Sequence, residues 1–159
     1  MKIIFAMTIV MFVALSPVVA MESGDQGYGV LLGNPSALTG KYWIDDRLAI
    51  DGAIGAERGH FDVHASFLVH DEELSRKLGW VTPSARFPIY IGVGPRISFQ
   101  DKAELGIRVP LGVACFPSNT DWEFFVEVAP VLRLSPNAGF NSDFGIGARY
   151  YFHPVRPRR

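Results

Sequence analysis

The chain has 159 residues, a length that suits one domain, and its formal net charge is −1 at pH 7. This balance excludes the strongly basic surface of a nucleic-acid-binding protein. The single cysteine, Cys115, excludes an internal disulfide and a zinc or redox site built from several cysteines. Hydrophobic residues make up 48% of the chain, yet after residue 20 no apolar run approaches the roughly 20 residues of a membrane-spanning helix. The apolar residues alternate with polar ones, a pattern that favours strands.

The first 20 residues have the organisation of a secretory signal peptide. Lys2 provides a basic start, residues 3–15 form an uninterrupted apolar core, and Val18 and Ala20 stand at the positions that a signal peptidase reads. An apolar core of 13 residues is too short to anchor the chain comfortably as a spanning helix. The sequence therefore predicts export, cleavage after Ala20, and a mature domain over residues 21–159.

Period-two alternation predicts eight strands in the mature chain, separated by turns. The longest connection, residues 71–85, contains a segment that suits a short helical turn. Four prolines fall inside predicted strands, where each removes a backbone donor and suggests a bulge or bend: Pro88, Pro95, Pro110 and Pro130. The predicted strands cover residues 27–33, 37–44, 47–56, 60–70, 86–100, 103–116, 121–134 and 144–152.

The last predicted strand shows the alternation most clearly. One face is apolar and ends in aromatic residues, and it carries Phe144, Ile146, Ala148, Tyr150 and Phe152. The opposite face is glycine-rich around one arginine, and it carries Gly145, Gly147, Arg149 and Tyr151. This pattern is typical of a strand whose apolar side meets lipid and whose other side lines a narrow interior.

Charged side chains of the other strands fall largely on the faces opposite the large apolar residues. Both signs of charge occur there, as a packed interior requires, because a lone buried charge costs several kcal/mol. We predict an interior charge network, in a closed lumen, made of Asp51, Asp62, His64, Arg96, Glu104, Arg108, Glu127, Arg133 and Arg149.

The apolar faces are rich in aromatic residues near strand ends, an arrangement that suits two girdles at membrane interfaces. The residues predicted to face lipid are Phe87, Phe99, Trp122, Phe124, Phe144, Tyr150 and Phe152. The alternation by itself also admits a soluble lipocalin-like barrel, which keeps its apolar side inside. That alternative predicts Phe61, Ile91 and Val126 around a ligand cavity, with Arg108 and Glu127 in water.

The segment Gly-Ile-Gly-Ala-Arg-Tyr-Tyr-Phe, which ends at Phe152, is similar to the terminal aromatic signal of small eight-stranded outer-membrane barrels of the OmpA transmembrane-domain and OmpX type. The chain resembles this family over residues 27–152. The resemblance implies an all-β, eight-stranded antiparallel up-and-down barrel in the outer membrane, with outer-membrane lipid and the barrel assembly machinery as partners. Two features depart from the family: a basic tail, residues 153–159, follows the aromatic end, and the predicted outer connections are short.

One strand carries the best candidates for chemistry. His60, Asp62 and His64 share a face at steps of about 7 Å, and such side chains suit a divalent metal ion. Alternate residues of a single strand seldom converge on one ion, so we interpret them as hydrogen-bonded interior residues. His64 and Ser66 also resemble the His-x-Ser pair of outer-membrane lipid A deacylases, which would need both residues on the lipid side. The alternation places both inside instead.

The prediction from sequence is therefore a non-catalytic outer-membrane barrel with a structural or surface-interaction role, without metal, cofactor or nucleic acid. A soluble lipocalin-like barrel that binds an apolar ligand and a lipid A esterase that uses His64 and Ser66 are the alternatives.

Overall fold

The computed structural model describes residues 21–57, 59–100 and 102–153. The predicted signal peptide and the tail after His153 lie outside the described residues. The described part of the chain forms ten strand segments and one helix: β1 Gln26–Asn34, β2 Ser36–Trp43, β3 Leu48–Glu57, β4 His60–Asp71, α1 Glu72–Lys77, β5 Ala85–Arg86, β6 Ile89–Phe99, β7 Ala103–Arg108, β8 Leu111–Pro117, β9 Trp122–Ser135 and β10 Gly139–Phe152.

These segments build a closed antiparallel barrel. Each barrel strand pairs with its neighbours in the chain, and β10 returns to pair with β1, with Phe152 opposite Gln26 and Phe144 opposite Asn34. The segments β5 and β6 together form one barrel strand, and β7 and β8 together form the next. Both β7 and β8 pair with β6 on one side and with β9 on the other, and β5 pairs with β8 as β6 does. The predicted all-β, eight-stranded, up-and-down barrel is confirmed.

Two barrel strands are interrupted at a proline. The sequence predicts a continuous strand over residues 86–100, but the structure divides it into β5 and β6 just at Pro88. Residues 103–116, also predicted as continuous, divide into β7 and β8 at Pro110. Proline has no N–H for the ladder, so a break at these positions has a direct physical cause.

The backbone carbonyl groups of these prolines still accept hydrogen bonds, which explains why the sheet tolerates them. The Gly92 N–H donates to the Pro110 carbonyl at 2.8 Å, and the Ala114 N–H donates to the Pro88 carbonyl at 3.0 Å. The remaining two prolines stay inside continuous strands, where Pro95 lies opposite Ile107 and Pro130 lies opposite Ser142.

The barrel has two ends that differ in their connections. The hairpin end carries the short connections β1–β2, β3–β4, β6–β7 and β9–β10. The termini end carries Met21, His153 and the connection of residues 72–84, whose helix α1 is the predicted helical turn. The Asp71 carboxylate caps α1 by accepting from the Leu74 N–H at 2.9 Å. No helix within the described ranges is long and apolar enough to cross a membrane.

Two glycines show how closely the strands approach one another. A Cβ at Gly94 would lie 1.8 Å from the Ala65 carbonyl oxygen of the neighbouring strand. A Cβ at Gly147 would lie 2.3 Å from the Phe125 ring, which packs inside the barrel. Any larger residue would therefore displace backbone at the first site and a buried ring at the second.

Candidate functional site: the barrel interior

The interior at the termini end is filled by an aromatic layer, which we define as Trp43, His70, Tyr90, Phe116 and Tyr151. The rings are in mutual contact, with 4.4 Å between the centroids of Trp43 and His70 and 6.1 Å between those of Phe116 and Tyr151. The Trp43 indole N–H donates to the Tyr151 hydroxyl at 3.1 Å. This layer fills the barrel interior near the termini end.

A buried lysine lies directly against the aromatic layer. The Lys41 ammonium is 4.7 Å from the centroid of the Trp43 ring and 5.4 Å from that of Tyr90, distances at which a cation is attracted to a ring face. It donates to Glu123 Oε1 at 2.8 Å and lies 2.9 Å from His70 Nε2. Because an ammonium only donates, His70 Nε2 is the acceptor, and its Nδ1–H points to the Arg47 carbonyl at 3.2 Å. His70 is therefore neutral.

Glu123 is the centre of the first charge network, and none of its side chain is exposed. Its carboxylate accepts from Lys41, from the Tyr151 hydroxyl at 2.7 Å, and from Arg149 Nη1 at 3.4 Å. Arg149 in turn contacts Asp51 at 3.2 Å and donates to the Thr39 hydroxyl at 2.8 Å. We call Thr39, Lys41, Asp51, Glu123 and Arg149 the termini-side network; its two cations balance its two carboxylates.

A second network continues towards the hairpin end, and it consists of Asp62, Arg96, Arg108, Glu127 and Asp143. Arg108 pairs with Glu127, and its Nε lies 3.2 Å from Asp143. Arg96 lies 3.3 Å from the same Asp143 oxygen and 2.9 Å from Asp62. We call this set the hairpin-side network. Asp143 thus joins two arginines that come from different barrel strands.

Tyr90 links the two networks. Its ring contacts the Lys41 ammonium, and its hydroxyl donates to Glu127 at 2.9 Å. The polar interior is therefore continuous from the aromatic layer to the hairpin side, and its hydrogen bonds join strands that are not neighbours in the barrel.

The predicted interior residues are placed as follows. Asp51, Asp62, His64, Arg96, Arg108, Glu127 and Arg149 are all buried inside the barrel. Glu104 and Arg133 pair with each other at 3.1 Å near the hairpin end, where both are partly accessible, apart from the two networks. His64 lies 3.5 Å from Asp62, at the edge of the hairpin-side network.

The sequence prediction did not include four residues that prove central: Lys41, Glu123, Asp143 and Tyr90. The signal for Asp143 was available, because it continues by one step the inward face of Gly145, Gly147 and Arg149. Lys41 and Glu123 likewise lie on inward faces, but alternation does not tell which inward residues meet across the barrel.

The predicted lipid-facing residues lie on the outside of the barrel. Phe99, Trp122, Phe124, Phe144, Tyr150 and Phe152 are exposed there. Phe87 lies in the break between β5 and β6, is partly buried, and lines an apolar depression with the exposed residues Phe124 and Ile146.

Aromatic residues of the wall cluster at both ends. At the termini end, Tyr150 contacts Trp122 with 5.4 Å between ring centroids and Phe152 with 5.1 Å. At the hairpin end, Phe61 and Phe99 lie 5.8 Å apart on neighbouring strands. Aliphatic side chains such as Ile146, which is 58% exposed, cover the wall between these clusters.

The lipocalin-like alternative is contradicted by this orientation. It requires Phe61, Ile91 and Val126 to line a cavity inside, but all three are about half exposed on the outer wall. It also requires Arg108 and Glu127 in water, whereas both are buried.

The candidate chemistry of β4 finds little support in the geometry. His64 and Ser66 are 5% and 2% exposed and face the interior, so neither is on the wall where an acyl chain would arrive. Within the described ranges, no group of three His, Cys, Asp or Glu side chains is arranged to hold a metal ion, and this includes His60, Asp62 and His64.

At the termini end, His153 contacts two aspartates, one of which lies near the other end of the described chain. His153 Nδ1 lies 3.0 Å from Asp25, which precedes β1, and its Nε2 lies 3.3 Å from Asp121, which precedes β9. Partial burial alone lowers the pKa of His153, but hydrogen bonds and charges from Asp25 and Asp121 outweigh this and raise the pKa above its ordinary value. The Tyr150 hydroxyl also donates to Asp121.

Comparison with known proteins supports the architecture. No protein-family model and no curated protein sequence matches the chain. Among solved structures, the chain is similar to the N-terminal β-barrel domain of OprF from Pseudomonas aeruginosa, with a TM-score of 0.54 and 11% sequence identity. The match covers 80% of this chain and 96% of the OprF domain. At this identity the likeness concerns the fold alone, which is a β-barrel.

Proposed function

We propose that this protein is a small outer-membrane barrel with a closed, charged interior and a structural or surface-interaction role rather than a catalytic one. The observation that carries the proposal is the distribution of side chains: aliphatic and aromatic residues cover the outside, while Arg108, Arg149, Glu123 and Asp143 are buried within. A water-soluble barrel has the opposite arrangement, because the hydrophobic effect drives apolar surface away from water.

The two aromatic clusters of the wall support the same proposal. Trp, Tyr and Phe at both ends of an apolar band suit the two interfaces of a bilayer, where amphipathic rings contact headgroups. The Trp122, Tyr150 and Phe152 cluster would then lie at one interface, and Phe61 with Phe99 at the other. Outer-membrane lipid is thus the partner that the wall favours.

The interior argues against a transport role. Eight strands enclose just enough space for side chains to fill. Here the aromatic layer, the termini-side network and the hairpin-side network follow one another along that space, joined through Tyr90. We therefore propose a closed lumen whose ion pairs hold the barrel rigid.

Delivery to the outer membrane would follow from both ends of the sequence. We propose that the signal peptide is removed after Ala20 and that the barrel assembly machinery recognises the aromatic end of β10, which finishes at Phe152. N-terminal sequencing of the purified protein would begin at Met21 if the cleavage site is right.

Fractionation and gel migration test the main proposal. The protein should sediment with outer membranes, require detergent for release, and migrate differently in detergent gels before and after boiling, as folded barrels do. A protein that remains in the soluble fraction without detergent would contradict the proposal.

A further inference from the structure

The hairpin end contains a polar cleft next to the hairpin-side network, which contributes Arg96 to its lining. Its volume is about 230 Å³, and it is lined by His60, Arg96, Ser98, Gln100, Glu104, Arg133 and Asn141. It is continuous with a shallower depression at the same end, which shares Glu104 and Arg133 with it. We call this space the hairpin cleft. It has room for a small polar ligand together with a few water molecules.

Ser98 is the first sign that the cleft suits a ligand. The residue is only 2% exposed and lines the cleft. Its hydroxyl can donate a hydrogen bond to an acceptor bound there.

Arg133 is the second sign. Its Nη1 donates to Glu104 at 3.1 Å, whereas its Nε is buried and has no partner in the described part of the chain. Both Glu104 oxygens are already engaged, one by Arg133 and the other by the Gln100 amide at 3.0 Å. The guanidinium therefore still has donor capacity to offer in the cleft, and the one carboxylate of the lining is already satisfied.

Arg96 gives the cleft a fixed positive wall. It is 4% exposed and is held from behind by Asp62 and Asp143 at 2.9 Å and 3.3 Å, so its position is set by the hairpin-side network. Together with Ser98 and Arg133, the lining offers two guanidinium groups and a hydroxyl, and its only carboxylate, Glu104, is already engaged; Gln100, Asn141 and His60 complete it.

A lining with more donors than acceptors suits a ligand group that only accepts. Ionised phosphate is such a group, since its oxygens take charge-assisted hydrogen bonds from arginine and further bonds from hydroxyl groups. We propose that the hairpin cleft binds a phosphate group, supplied either by a soluble phosphate compound or by a phosphorylated lipid headgroup. This inference depends on the cleft alone and holds whether or not the wall meets lipid.

Isothermal titration of the full chain, purified in a non-ionic detergent, with inorganic phosphate tests the proposal. Sodium chloride at equal ionic strength is the reference. Arg133→Gln should weaken phosphate binding about tenfold or more, the loss expected for one charge-assisted hydrogen bond. Ser98→Ala should weaken it by a smaller factor, on the order of two- to tenfold. Glu104→Gln should strengthen it, because a negative charge leaves the lining.

Arg86→Gln is the matched control, since Arg86 pairs with Glu72 at the opposite end of the barrel and should not affect phosphate affinity. Heat-modifiable gel migration checks that each variant is folded. Phosphate heats equal to those of chloride, or equal affinity in the Arg133→Gln and Ser98→Ala variants and the unmodified protein, would overturn the proposal.

A second titration identifies the source of the phosphate group. The protein is placed in phosphatidylcholine vesicles with and without phosphatidic acid. A headgroup ligand predicts that phosphatidic acid competes with inorganic phosphate and lowers its apparent affinity, whereas a soluble ligand predicts no change; both results support phosphate binding in the cleft.

Discussion

An arginine placed on the outer wall provides the sharpest test of the proposed membrane orientation. Ile146 is 58% exposed and lies in the middle of β10, seven positions after Gly139 and six before Phe152. If the wall meets hydrocarbon, Ile146→Arg puts a guanidinium close to the bilayer midplane. Such a substitution costs about 2–4 kcal/mol in transmembrane barrels. This corresponds to a decrease of roughly 30- to 900-fold in the folding equilibrium constant.

Phe140→Arg serves as the matched control on the same strand. Phe140 is 71% exposed and stands six positions before Ile146, a distance of about 20 Å along a strand at ~3.4 Å per residue. With a strand tilt of about 40°, that is roughly 15 Å along the membrane normal, beyond half of an apolar band ~25 Å tall. At this depth arginine should cost about 0–1 kcal/mol.

The assay is reversible unfolding by denaturant of each variant in phospholipid vesicles, followed by tryptophan fluorescence. The expected result is a large loss of unfolding free energy for Ile146→Arg and a small loss for Phe140→Arg. In a water-exposed wall both substitutions would stay within about 0.5 kcal/mol, as surface changes usually do. Equal, small effects at the two positions would therefore refute the proposed orientation.

Three further predictions concern the interior and the termini end. Glu123→Gln should cost about 3–5 kcal/mol of unfolding free energy, because Lys41 loses its buried partner. Glu73→Gln, in an exposed ion pair, should cost less than about 1 kcal/mol. Denaturant unfolding compares the two variants, and similar losses would contradict the role of the termini-side network. The raised pKa of His153 stabilises the fold fully below its ordinary value of 6.5, and this contribution is lost as the pH rises through the folded-state pKa. The difference in unfolding free energy between the unmodified protein and His153→Gln should accordingly be largest in acid and shrink above pH 6.5; a pH-independent difference would contradict the role of His153. Single-channel recording in planar bilayers should show no conductance for the unmodified protein but measurable current for Trp43→Ala, because this substitution opens the aromatic layer. Steady current through the unmodified protein would contradict a closed lumen.

Alternation along the chain was sufficient to predict the strands and to divide each of them into a polar and an apolar face. Asp51, Arg108 and Arg149 lie inside as their position in the alternation predicts, and the reason is that side chains of a strand alternate between two faces at every step. The alternation placed polar residues on one face of each strand and large apolar residues on the other, but it did not determine which face is inside the barrel. The aromatic residues at strand ends favoured the apolar face as the outer wall.

The sequence was a poorer guide to partners. Glu104 and Arg133 were both grouped with the interior charges, and they pair with each other at the hairpin end, apart from the two networks. Asp143 was not in that group, yet it lies between Arg96 and Arg108. Period two specifies the face of a residue and not its height in the closed barrel. Height depends on the stagger between strands, which accumulates around the barrel and is not encoded in any single strand.

The four prolines also show which features the local sequence predicts and which it does not. Their chemistry predicts a disturbed ladder at four positions, and the structure breaks the strand only at Pro88 and Pro110. Pro95 and Pro130 remain inside the continuous strands β6 and β9. Whether a missing donor breaks a strand depends on the neighbouring strand, which the local sequence does not specify.

The interior ion pairs join residues that are far apart in the chain, and this determines when they can form. Lys41 and Glu123 are 82 positions apart, and Arg149 and Asp51 are 98 apart. Neither pair can exist before β1 and β10 have met and closed the barrel in the correct register. A one-residue slip of β10 would turn Arg149 outward and leave Glu123 and Asp51 without it. Burying these charges is costly unless every partner is in place, so the networks penalise incorrect closure far more than they stabilise correct closure.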